Sequence, residues 1–169
     1  EASMSDRLTL LRPDDWHIHL RDGAAQGRPY VALLAEADGD AVGFAVAFAL
    51  GLPVGWEREH RKFSPGLRTF PLVATGACAF LLIAQHVFPG EARAQAYAFQ
   101  AVLSGIGFIG GGAILKGQGN VKGIATAVCI WITAAVGVAV AYGLYLLGAT
   151  LSLTTLVALQ LLKPLKEIW

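Results

Sequence analysis

The first side chains able to act together chemically are His17 and His19, one residue apart. Alternation along a strand would put both imidazoles on one face, where they can share a divalent metal such as zinc. Two imidazoles alone do not make a hydrolase, and the only other histidines, His60 and His86, fall in the apolar part of the chain. A second pattern, Gly105-x-Gly107-x-x-Gly110, has the spacing of a dinucleotide fingerprint. That motif needs a strand before it, a helix after it and an acidic residue about 20 positions on to hold a ribose. Here a long apolar run precedes it, and residues 111–130 contain no Asp or Glu. No ATP-binding loop and no nucleophile beside a base stand out, so neither catalysis nor a bound cofactor is expected. Nucleic acid is not an expected partner either.

The elements that would position these residues are mostly apolar. The chain is 55% hydrophobic and 15% charged, with a mean hydropathy of +0.55, the range of multi-spanning membrane proteins. Residues 1–40 hold eight of the twelve acidic groups and four arginines, and read as a polar, acidic leader. Five apolar runs follow at Ala41–Trp56, Phe70–Phe88, Ala94–Leu115, Gly123–Ala141 and Gly143–Leu162. A helix needs about 20 residues to cross about 30 Å of hydrocarbon. An all-α membrane protein with five transmembrane helices is therefore the expected fold, the first span marginal in length and the last two divided at Tyr142-Gly143. Lys and Arg cluster after the first, third and fifth runs, which predicts the N-terminus outside and the C-terminus inside.

Ala101, Gly105, Gly107, Gly110, Gly111 and Gly112 of the third run, with Gly137 of the fourth, are expected as helix-packing residues, and the third run is expected to be the central contact helix, locally unwound at 110–112. Helical spacing also lines up Thr75, Cys78 and Gln85 on the second run, and Thr126, Cys129, Thr133 and Gly137 on the fourth. These are inward polar stripes that serve as helix-to-helix bonds or line a path. Cys78 and Cys129 sit in apolar runs and are expected as buried, reduced thiols. Glu57 and Arg58, with Arg68, are placed to form an ion-pair network where the first helix leaves the membrane. No Asp or Glu lies well inside any run, which disfavours an ion path built on carboxylate oxygens.

Three resemblances accompany this pattern. Leu11-Arg12-Pro13-Asp14-Asp15-Trp16-His17-Ile18-His19-Leu20-Arg21-Asp22-Gly23 resembles the opening strand of a dihydroorotase, in which the His-x-His pair binds zinc and the Arg holds a substrate carboxylate. The resemblance covers about residues 4–23 and lacks the rest of that barrel. Residues 28–45, two apolar runs around Asp38-Gly39, read as a hairpin faintly similar to one in acetyl-coenzyme A-dependent acetyltransferases. Two such fragments before a membrane domain suggest a spliced reading frame, with Met4 resembling a start.

The third resemblance covers most of the chain, from about Ala41 to Leu162. Gly51-Leu52-Pro53-Val54-Gly55-Trp56-Glu57-Arg58-Glu59, Gly66-Leu67-Arg68-Thr69, Ser104-Gly105-Ile106-Gly107-Phe108-Ile109-Gly110-Gly111-Gly112, Val121-Lys122-Gly123-Ile124-Ala125-Thr126-Ala127 and Trp131-Ile132-Thr133-Ala134-Ala135-Val136-Gly137 resemble the MgtC/SapB membrane proteins. Pro65, Gly111 and Ile124-Ala125 depart from that family's usual residues. The resemblance marks Glu57, Arg58, Gly66, Arg68 and Thr69 as a cytoplasmic-face motif and residues 41–169 as the membrane domain, without the soluble C-terminal domain of longer members. It implies a virulence-associated bacterial inner-membrane protein linked to growth under magnesium limitation. Such a protein would act by modulating a membrane-protein partner, with homo-oligomers compatible. Direct Mg²⁺ or other ion transport is the alternative, and a zinc amidohydrolase is the alternative of a different class.

Overall fold

Long apolar runs leave the backbone no partner but itself, and the result among the described residues is five helices. These are α1 (Tyr30–Glu59), α2 (Thr69–Val87), α3 (Ala92–Gly112), α4 (Ile124–Ala141) and α5 (Tyr145–Leu161). Between α3 and α4 a small antiparallel hairpin pairs β1 (Leu115–Gly117) with β2 (Asn120–Lys122), Lys116 opposite Val121. The computed structural model describes residues 30–59, 65–117 and 120–161. His17, His19 and the 4–23 segment lie outside the described residues.

Among the described residues three segments are long and apolar enough to cross a membrane: Gly39–Glu59, Thr69–Val87 and Ile124–Ala141. The 21-residue α3 has the length, but Arg93, Gln95, Gln100 and Ser104 dilute its apolar character, while α5 has 17 residues, near the lower limit for a span. The five helices pack around one core, and the chain is an all-α membrane protein.

Three sequence expectations fail here. The hairpin around Asp38-Gly39 is absent, because Tyr30–Glu59 is one continuous helix. Residues 32–37, Ala-Leu-Leu-Ala-Glu-Ala, are strong helix formers without a β-branched side chain, and one glycine does not outweigh them. The second failure concerns the centre of the bundle. That place belongs to α4, where Thr126, Cys129, Ile130, Thr133, Ala134 and all of 136–141 are buried, whereas α3 buries only Ile106 and Gly110. Bulky Phe99, Val102 and Ile106 turn α3 toward the core, so Ala101 and most of its glycines point away. A Cβ at Gly105, Gly107, Gly111 or Gly112 would meet nothing within 4 Å, and only Gly110 comes close to a neighbour, the Ala127 carbonyl. Nor is α3 unwound at its end: the Ala113 amide still donates to the Ile109 carbonyl at 3.2 Å.

The tight packing lies one layer away. A Cβ at Gly137 would fall on the Ala74 carbonyl, 2.8 Å from its carbon, and a Cβ at Gly51 would lie 2.7 Å from Pro71 Cα. One turn of α2 is thus gripped by α1 on one side and α4 on the other. Pro71 sits in the first turn of α2, where a missing N–H leaves no helical bond unmade. Farther along, α4 ends in a left-handed Gly143 (φ 71°), with Leu144 N–H donating to Ala139 O at 2.8 Å and Gly143 N–H to Val140 O at 2.9 Å. This closure of the last carbonyls reverses the chain, and α4 and α5 are separate helices.

Because the neighbour at Gly137 is backbone, Gly137→Ala is expected to cost about 1–3 kcal/mol, read as a lower Tm in detergent. Gly105→Ala should leave Tm unchanged or raise it, since helical glycine costs about 1 kcal/mol relative to alanine.

Candidate functional site

The end of α1, the start of α2 and the start of α4 converge at one end of the bundle. Arg58 reaches across from α1 so that its Nη2 donates to Thr126 Oγ1 on α4 at 2.5 Å. Thr126 is only 2% exposed, which places a guanidinium contact at the edge of the buried core. The next residue, Glu59, turns the other way and accepts the Leu67 N–H at 2.7 Å. A carboxylate there answers the partial positive charge of the α2 N-terminus, where no side chain of α2 itself caps the helix. Gly66 makes the contact possible, because any Cβ at that position would occupy the space of the Glu59 carboxyl group. The Gly66 carbonyl in turn accepts from Thr69 N–H at 3.0 Å, closing the turn into α2.

This geometry redistributes the roles expected from sequence. Glu57 and Arg58 are half-buried and Arg68 is exposed. Thr69 contributes its backbone, and Arg58 joins the polar stripe of α4 through Thr126. Glu59 is the residue that sequence reasoning left out of the site. Its position one turn before a glycine-containing break offered the signal, but only the fold brings it back to Leu67.

At the opposite end, His86 Nε2 and Asp40 Oδ2 are 2.7 Å apart, joining α2 to α1. One residue earlier, Gln85 Nε2 donates to the Ala141 carbonyl of α4 at 3.1 Å. Between these ends Cys78, Cys129 and Thr133 are buried, and Thr75 and Gln85 partly so. The hydroxyls of Thr75 and Thr133 donate to the carbonyls of Pro71 and Cys129 in their own helices, at 2.9 and 2.7 Å. Ser152, unanticipated from sequence, donates to Leu50 O at 2.7 Å. This bond ties α5 to α1. Among the described residues no buried side-chain nitrogen or oxygen lacks a partner, and no three His, Cys, Asp or Glu side chains are grouped to hold a metal. These bonds fix the helices to one another, and charged side chains stand at both ends of the bundle.

The MgtC family model matches residues 44–168. The chain belongs to the MgtC family. It is 40% identical over 124 residues to "Protein MgtC" of Brucella abortus (strain 2308), covering 73% of this chain and 51% of that protein. An uncharacterized protein of Synechocystis is 41% identical over 120 residues, 71% of this chain and 50% of that one. The protein named "Putative magnesium transporter YhiD" in Escherichia coli (strain K12) is 35% identical over 124 residues, 66% of this chain and 55% of its own length. The chain thus spans about half the length of the MgtC-type relatives it matches. No solved structure matches it. The MgtC match covers α2 to α5 and about half of α1, including the whole Arg58–Thr126 and Glu59–Leu67 cluster.

The Glu59 cap and Gly66 act as one unit. Glu59→Ala and Gly66→Ala should each lower stability by about 1 kcal/mol in thermal unfolding. The double variant should lose clearly less than the sum, because both changes remove the same bond.

Proposed function

We propose that this chain is the membrane part of an MgtC-type protein of the bacterial inner membrane. In this reading it serves adaptation to magnesium limitation by contacting and modulating another membrane protein, with the helical bundle as the working domain; the leader boundary expected at residue 40 falls inside α1, which runs unbroken from Tyr30 to Glu59. One observation carries this reading: the polar side chains in the interior are spent on bonds within and between helices, as in Gln85–Ala141, Ser152–Leu50 and Thr133–Cys129. A path for Mg²⁺ needs oxygen ligands with room for retained water, commonly carboxylates. Here the acids of the described spans sit at their ends, Asp40 at one and Glu57 and Glu59 at the other. The link to magnesium is supported by the name of the Escherichia coli relative.

That same name favours direct transport as the second reading, and the two separate experimentally. Liposomes containing the purified chain and a Mg²⁺-sensitive dye are expected to show no flux above empty liposomes, while expression supports growth of a relative-deficient strain at limiting Mg²⁺. Saturable flux abolished by Gln85→Ala or Thr133→Ala would replace modulation with transport.

The cationic end, with Arg58, Arg68 and Lys122, is oriented to the cytoplasm in this reading. A fluorescent-protein fusion after Trp169 should therefore be bright and an alkaline phosphatase fusion there inactive; the reverse pattern would invert the topology.

A further inference from the structure

At the end of the bundle away from Arg58, one bond between helices can change its charge. His86 of α2 and Asp40 of α1 bring Nε2 and Oδ2 to 2.7 Å, with side chains 39% and 24% exposed, so protons of the surrounding solution reach both. One turn deeper the same two helices are packed: a Cβ at Gly43 would lie 3.7 Å from Leu82 and 3.9 Å from Cys78 Sγ. On the outer side of Asp40, a Cβ at Gly39 would meet nothing within 4 Å, and α1 continues outward to Tyr30, about 15 Å of helix. The other flank of α2 is tied to α4 by the Gln85 amide on Ala141 O, a bond whose groups do not titrate.

A carboxylate only accepts, so Nε2 carries a hydrogen and donates to Asp40, and a further proton enters the ring at Nδ1. That proton turns a hydrogen bond from a neutral donor into a contact of opposite charges, roughly twice as strong. Imidazole ordinarily makes this change between about pH 5 and 8. The other charged and titratable groups on the elements around the pair belong to other ranges. Besides Asp40, α1 has Glu36 and Asp38 in the preceding turn; α3 begins at Glu91 with Arg93 and Tyr97; α4 and α5 meet between Tyr142 and Tyr145; and α2 itself has the buried thiol of Cys78. Carboxylates ordinarily titrate near about pH 4, and thiols, phenols and guanidinium groups above about pH 8.

We propose that His86 and Asp40 form a pH-sensitive clasp between α2 and α1, which tightens as the solution at this end of the bundle acidifies and loosens as it turns alkaline. The added hold is present while the imidazole is protonated and Asp40 ionised, and is lost as pH rises through the imidazole range. Gln85 keeps α2 on α4 throughout, so α1 is the helix that yields, from Asp40 outward to Tyr30. The clasp works in the same way whether the chain modulates a partner or conducts an ion.

Thermal unfolding of the full chain in detergent at about pH 5.5 and about pH 8 tests the clasp in the wild type, His86→Gln and Asp40→Asn. Glutamine keeps an N–H donor for Asp40 but takes up no proton, and its comparison with the wild type separates His86 from His17, His19 and His60. Between pH 8 and 5.5 the wild-type Tm should gain about 2–4 °C more than that of either variant. A local readout accompanies it: spin labels on Val42→Cys and Ile83→Cys, both exposed while Cys78 and Cys129 are buried, report the α1–α2 separation in liposomes. Their distance distribution should be narrower at pH 5.5 than at pH 8, and the same at both in His86→Gln. A distribution that does not change with pH, or that broadens in acid, would overturn the proposal, as would an equal pH response of Tm in His86→Gln. Should either variant fail to fold, the spin-label comparison in the otherwise native chain decides alone.

Discussion

The backbone of α2 is pinched between two glycines, and the rest of the bundle is arranged around that contact. Gly51 admits Pro71 from one side and Gly137 admits the Ala74 carbonyl from the other, one helical turn apart. Lipid tails are as apolar as leucine, so helices in a bilayer gain little from hiding apolar area and associate instead through close van der Waals fit. The same layer continues into α5, where a Cβ at Gly148 would touch the tip of Leu50 at 3.3 Å. Four helices therefore meet where side chains are smallest.

Hydrogen bonds complete this fit rather than replace it. Bonds between helices in a membrane contribute about 0.6 kcal/mol each, less than the cost of about 1–3 kcal/mol for forcing one methyl into a close-packed backbone contact. Gln85–Ala141, Ser152–Leu50 and Arg58–Thr126 set register between helices that packing already holds together.

Periodicity and charge made the helical class, the number of helices and the division at Tyr142-Gly143 readable from sequence, because lipid permits few other solutions. The glycines were harder. Gly107 and Gly137 have equally good small-residue neighbours in sequence, yet one faces open space and the other a carbonyl. What separates them is the side chains that win the inward face: Phe99, Val102 and Ile106 on α3, but Ala134 and Ala141 on α4. Glu59 escaped notice for a related reason, its partner being a backbone amide of Leu67 that no residue type advertises. At Asp38-Gly39 a turn dipeptide lies inside a stretch of strong helix formers, and the helix formers of 32–37 prevail.

The reversal at Tyr142–Leu144 also bears on how the molecule is made. It closes its own carbonyls with two backbone bonds, and no charged residue occurs from Gly123 to Leu162. During biosynthesis α4 and α5 can therefore partition from the translocon as one prefolded hairpin, with no ionic loop to drag across the bilayer.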